Sequence, residues 1–233
     1  MFTANEYKAL HALAFSDQNP GYRPEVKEIP NGDGAIDQEK RYAHVAWKYI
    51  DLMPRGFARE FFESALYCAH QTAHMVASAL EVPKAFWPDV RFSALRVLEY
   101  PIGAGSAQHT DFDLFTCLLY RSTAGLGDDD PLIFIAPEGE QEDSKRWRRQ
   151  QKIHRGLHVG ELGELIGLGP ADAHAVLAHD EVQHSIVYFA IPDHAAVLPG
   201  RDRNNPTTYE HTPGNPATVG AWISERIARS RKY

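Results

Sequence analysis

The segment AQHTDFDLFTCLLY, residues 107–120, sets His109 two positions before Asp111 in a run of β-forming residues. On a strand, alternate side chains share a face, so this imidazole and this carboxylate would point the same way as two adjoining metal ligands. One further histidine from a neighbouring strand would complete a two-histidine, one-carboxylate facial triad. That set of ligands binds non-haem Fe(II) and leaves the opposite coordination positions open for chemistry.

The stretch 160–192, GELGELIGLGPADAHAVLAHDEVQHSIVYFAIP, carries three candidates for the missing ligand: His174, His179 and His184. His174 lies in a short apolar run after a Gly-Pro turn, and the β-prone run 185–189 follows it. A tight turn near 180–181 would pair the two runs as antiparallel neighbours. His179 falls beside Asp180 in that turn, and His184 would face opposite to Gln183 and Ser185. His70 and His74, four apart on a helix, lack the intervening glutamate of a zinc protease motif and read as helix surface or a satisfied core pair. His154, His158, His194 and His211 show no ligand spacing and are expected in loops. GAGSA at 103–107 precedes a strand and lacks the G-x-G-x-x-G pattern, so it reads as a turn and not a phosphate cradle.

Taken in order, these features resemble the isopenicillin-N-synthase-like Fe(II)- and 2-oxoglutarate-dependent oxygenases, over about residues 60–230. ALEVPKAFW resembles the end of a long family helix, and ALRVLEYP the strand before the metal motif. HTDFDLFTCLLY looks like the first metal strand, GELGELIGLGPADAHAV like the approach to the second histidine, and TVGAWISERIARSRK like the closing helix. The resemblance implies Fe(II) held by His109, Asp111 and His174, since His174 keeps the family distance to Ser185. It also implies 2-oxoglutarate contacts from Tyr100 and Ser185, with dioxygen and a small-molecule substrate alongside. The family arginine that grips the distal carboxylate of 2-oxoglutarate is here Gln183, which donates hydrogen bonds but carries no charge. Arg121 or Arg96 would then supply the cation from another strand. Two alternatives stand beside this reading: an oxidase of the same fold that needs no keto acid, and a jelly-roll binding module that has lost catalysis. Related halogenases replace the carboxylate ligand, so retention of Asp111 implies hydroxylation, desaturation or ring closure.

Those residues need a scaffold, and the pattern of the chain supplies one. Apolar residues recur at helical spacing over 3–15 and again over 56–81, where the run stops before Pro83. The second helix would pack on the outside of a β-structure. From Arg91, short strands alternate with turns: 93–99, 112–120, 131–136, 156–167, 174–178 and 185–191. The expected fold is mainly β with flanking helices, a double-stranded β-helix or jelly roll. A single domain over 1–233 would comprise a helical part to about 90, a jelly-roll core over about 91–200 and a terminal helix over about 217–231. Substrate-lining candidates are the segments 20–40 and 122–150 with Phe115, Tyr188 and Trp222.

Composition narrows the partners. The 233 residues are 43% hydrophobic, enough for one sizeable core. A net charge of −7, with basic clusters confined to KRWRR at 145–149 and the terminal RSRK, argues against nucleic-acid or anionic-membrane binding. The two cysteines, Cys68 and Cys117, do not make a disulfide framework. No stretch reads as a membrane span or a secretory signal, so a soluble protein in a reducing cytoplasm is expected.

Overall fold

The computed structural model describes residues 2–22, 40–122, 132–134, 156–199 and 218–230. Helix α1, Ala4–Ala14, starts at Thr3, whose hydroxyl accepts from the Glu6 amide while the Glu6 carboxylate accepts from the Thr3 amide. This reciprocal pair satisfies two amides that the first helical turn leaves without partners. Tyr7, Leu10 and Ala14 then lie on one buried face. Strand β1 spans Arg41–Val45, and the single turn α2 spans Trp47–Ile50. The long helix α3, Phe57–Ala79, buries Phe62, Leu66, Ala69, Ala73 and Ala77, a stripe at three- and four-residue spacing.

The strands that follow are β2 Ala94–Tyr100, β3 Ser106–His109, β4 Phe115–Arg121, β5 Leu132–Phe134, β6 Leu157–Val159, β7 His174–Val176 and β8 Gln183–Ala190. The short helix α4, Glu161–Leu165, sits between β6 and β7, and α5, Val219–Ser230, closes the described chain. Five strands form one sheet in the order β1-β2-β8-β4-β6, and three form another in the order β3-β7-β5. Every pairing is antiparallel. This is the expected jelly roll with flanking helices.

Strand alternation divides the five-stranded sheet into two chemically different faces. Leu95 and Val97 of β2, Phe115 and Cys117 of β4, and Ile186 and Tyr188 of β8 join Phe62 and Leu66 in the large core under the helices. Leu98 and Tyr100, Leu118, and Val187 with Phe189 look the other way, toward Leu132 of β5 and Val176 of β7. The second cluster therefore fills the space between the two sheets, and the site described below opens from it. A fully buried Phe or Leu stabilises by roughly 1.5–3 kcal/mol, so the larger helix-side core dominates the stability of the sheet.

Several sequence expectations are corrected here. His109 and Asp111 do not share one strand, because β3 ends at His109 and β4 begins at Phe115 in the other sheet. The chain crosses between sheets over 110–114, and Asp111 sits at that corner. The runs around His174 and 185–189 are not paired neighbours either: β7 pairs with β3 and β5, whereas β8 pairs with β2 and β4. The stretch expected as a strand over 156–167 is strand only to Val159 and then helical from Glu161. There Leu162 and Leu165 have the i, i+3 spacing of a helix face, with Leu162 buried. β1 also places a strand inside the part read as helical.

Candidate metal centre

β3 and β7 lie side by side with His109 directly opposite His174. Their rings are 4.4 Å apart between centroids. Gly105, at the entry to β3, makes this approach possible, since a Cβ there would stand 2.3 Å from the Val176 carbonyl oxygen. The corner at 110–114 then brings Asp111 back toward both rings. Asp111 Oδ1 lies 3.9 Å from His109 Nε2, and one donor atom from each of His109, Asp111 and His174 falls within 4.8 Å of the others. Residues from two strands and a corner thus enclose a cation-sized space.

Each ligand candidate is held by a second layer. The His174 Nδ1 is 3.0 Å from the Asp172 carbonyl oxygen, which can only accept. Nδ1 therefore carries the proton, and Nε2 presents its lone pair. Asp172 is itself tied to β6: its carboxylate accepts from the Val159 amide at 2.7 Å. On the other side, the Asp111 carbonyl oxygen accepts from the Glu161 amide at 2.8 Å. The Thr110 hydroxyl donates to Glu161 Oε1 at 2.6 Å, and Arg226 of α5 pairs with the other Glu161 oxygen. The terminal helix thereby braces the corner that aims Asp111.

The electrostatics favour an ionised Asp111. Burial pushes its pKa up, but His174, His109 and His158 together with the Thr116 hydroxyl outweigh this and hold it down to about 2. Its neighbour Asp113 goes the other way: burial, then the Asp111 charge, raise its pKa well above the usual carboxylate range. Thr116 Oγ1 lies 2.5 Å from Asp111 Oδ2 and 2.9 Å from Asp113 Oδ2. A hydroxyl has one proton to give. A protonated Asp113 donating to Thr116, which donates to Asp111, satisfies both contacts.

Of the other singled-out residues, Tyr100 and Gln183 are buried direct cross-strand partners on the inner face. Gln183 Nε2 donates to the Leu177 carbonyl oxygen at 3.1 Å, so its amide fastens β8 to the segment after β7. Arg121 stands directly opposite Ser185, and the bulge between Leu118 and Tyr120 returns it to the inner face that Leu118 and Val187 share. Arg96 also belongs to that face, its guanidinium 4.7 Å from the Tyr42 ring centroid and 4.8 Å from that of Phe189. His179 pairs with Asp180 in the turn, and His184 faces the helix side. His70 bonds the Tyr188 hydroxyl, and His74 the Pro88 carbonyl oxygen.

Phe115, Tyr188 and Trp222, taken from sequence as pocket candidates, are buried in the helix-side core and do not face the space between the sheets. Of the loop candidates, residues 23–39, 123–131 and 135–150 lie outside the described residues. His158, expected in a loop, is instead 3% exposed on β6, opposite Thr116, with its ring 4.6 Å from that of His174. The signal for it was a lone polar residue at the middle of a strand pattern, at the position that faces inward.

No known protein-family profile matches this sequence, and no curated protein matches it either. Solved structures do match. A full-length Neurospora crassa protein, in complex with alpha-KG and 5-formyluracil, superposes with a TM-score of 0.58 at 16% identity, over 97% of this chain and 83% of that one. A putative 2OG-Fe(II) oxygenase family protein from Caulobacter crescentus gives 0.59 at 15% identity, over 96% and 83%. The fold is that of the 2OG-Fe(II) oxygenases. A dioxygenase for auxin oxidation from rice gives 0.55 at 17% identity, over 96% of this chain and 80% of that chain.

Proposed function

We propose that this protein is a non-haem Fe(II) dioxygenase that uses 2-oxoglutarate to oxidise an unactivated C–H bond of a small molecule. The observation that carries this reading is the convergence of His109, Asp111 and His174 at the edge of the space between the two sheets. Two imidazoles and one carboxylate are the donor set that suits ferrous iron while leaving positions for other ligands. When bound, iron supplies the activation of dioxygen that no side chain can provide.

The chain's own residues do the holding and the excluding. Asp111, ionised, offsets part of the metal charge. His174 is fixed in its tautomer by Asp172. Leu98, Leu118 and Val187 keep the space between the sheets apolar, so charges at its edge interact more strongly than they would in water. Thr116, which touches Asp111, and Arg121 stand opposite Phe189 and Ser185, four residues apart on β8, because β4 bulges between Leu118 and Tyr120. At 3.4 Å per residue this is about 14 Å along the sheet, a span that a five-carbon dicarboxylate and an extended arginine side chain bridge together. We therefore assign the grip on the distal carboxylate of 2-oxoglutarate to Arg121 and Ser185, with Tyr100 beside them and Gln183 as a backbone tie. The small-molecule reading draws support from relatives of the fold solved with 5-formyluracil and, for JOX2, with 2OG, Fe and JA. No helix among the described residues is long and apolar enough to cross a membrane, and the two free thiols suit a cytoplasmic home for ferrous iron.

One observation favours a second reading. Because the Gln183 amide is engaged by Leu177, the position of the family arginine offers no cation, as it would in an oxidase that takes all its electrons from substrate. Anaerobic Fe(II) titration followed by 2-oxoglutarate separates the two. The dioxygenase shows a weak visible charge-transfer band on adding the keto acid and releases succinate in air. Iron binding with neither band nor succinate would replace the first reading with the second, and no iron binding would refute both.

A further inference from the structure

A second cluster of the same ligand types lies on the opposite face of the five-stranded sheet. Glu99 of β2 and His184 of β8 are direct cross-strand partners. They point to the helix side, as does the next pair along that face, Val97 and Ile186, whereas the inner positions Leu98 and Ser185 face the space between the sheets. His11, in the last turn of α1, comes down over them: its Nε2 is 2.9 Å from Glu99 Oε2. One donor atom from each of His11, Glu99 and His184 lies within 4.8 Å of the other two.

We propose that His11, Glu99 and His184 form a second metal site, which takes a divalent transition metal of the Zn2+ type and fastens α1 to the sheet. Two imidazoles and a carboxylate from three separate elements match the three-ligand zinc site, with a fourth position left for water. The second layer is present too. The Tyr7 hydroxyl, one turn before His11, is 2.7 Å from His184 Nδ1 and anchors that ring, as ligating histidines require. Arg41 contacts the other oxygen of Glu99, Oε1, at 3.4 Å, which leaves Oε2 for the cation. The His11 side chain is 27% exposed and that of Glu99 16%, so an ion can enter from solvent.

The rival is a plain hydrogen-bonded cluster, in which His11 and Glu99 pair and His184 answers only to Tyr7. Zinc titration of the metal-stripped protein decides between them. With both centres competent, the wild type takes up two equivalents and Asp111→Ala takes up one. In the Asp111→Ala background, zinc at about 100 times its Kd raises Tm by about 5–10 °C. Adding Glu99→Gln or His11→Gln there abolishes both the uptake and the shift. Cobalt(II), read by its visible absorption in the same variants, gives a measurement that does not depend on melting. Asp111→Ala protein that binds neither ion, or binding that survives both Glu99→Gln and His11→Gln, overturns the proposal. A wild type that takes one equivalent, all of it retained by Asp111→Ala, refutes the His109 centre and leaves this one standing.

Discussion

Replacing Thr116 by valine keeps the shape of the side chain and removes the one hydroxyl that stands between two carboxyl groups. Its Oγ1 is 2.5 Å from Asp111 Oδ2 and 2.9 Å from Asp113 Oδ2, and the residue is buried. Valine leaves an ionised Asp111 short of a donor. A hydrogen bond to a charged group contributes roughly 1.5–3 kcal/mol, and losing a partner behind a metal ligand weakens metal binding by about 10–100-fold. The two ranges agree, because tenfold corresponds to about 1.4 kcal/mol. Thr116→Val should therefore raise the Kd for Fe(II), measured anaerobically, by one to two orders of magnitude, while far-UV circular dichroism stays that of the wild type. Thr116→Ser, which restores the hydroxyl, should recover most of the affinity. An unchanged Kd in Thr116→Val would show that the hydroxyl does not orient Asp111, and would remove this second-layer argument.

Three further outcomes are expected. Gly160→Ala would put a methyl group 2.2 Å from the Asp113 carbonyl oxygen and 2.3 Å from Asp113 Oδ1; forcing the corner apart should cost roughly 1–3 kcal/mol, seen as a lower Tm and weaker iron binding. Arg121→Ala should raise the apparent KM for 2-oxoglutarate about 10–100-fold, from the loss of a charge-assisted bond, whereas Gln183→Leu should leave that KM unchanged; the reverse pattern would move the grip to Gln183. Burial leads the causes that hold the His70 pKa below its ordinary value of 6.5. The unfolded chain then binds the proton more readily, so this contribution is present above pH 6.5 and is lost as pH falls through the folded value. Chemical denaturation at a series of pH values should show the wild type losing stability as pH falls from 6.5 toward the folded value, with a shallower slope in His70→Gln.

How much of this was legible beforehand depends on whether a feature is local or arises from folding. The H-x-D spacing, the alternation of β2, β4 and β8, and the helical stripe of α3 are local periodicities, and the sequence displays them directly. The single strand expected to hold both His109 and Asp111 fails for a physical reason. Residues 107–120 are interrupted by Asp111 and Asp113, a residue type that strands disfavour, but a carboxylate can equally sit on the exposed face of one continuous strand, so propensity alone does not show that the chain leaves one sheet for another there. What makes the break is tertiary: Gly160 lets the backbone of 113 approach, the Glu161 amide takes the Asp111 carbonyl, and Arg226 closes on Glu161 from a helix more than sixty residues away. The same limit hid His158, whose position against His174 is set by the β4–β6 register and by no spacing along the chain. It also hid the cluster on the far face, because His11, Glu99 and His184 have no common motif. Only the pairing of β2 with β8, and the seating of α1 on that pair, turns three ordinary residues into a candidate ligand set. A motif search therefore finds metal ligands that one strand or one turn presents together, and misses those that a sheet assembles.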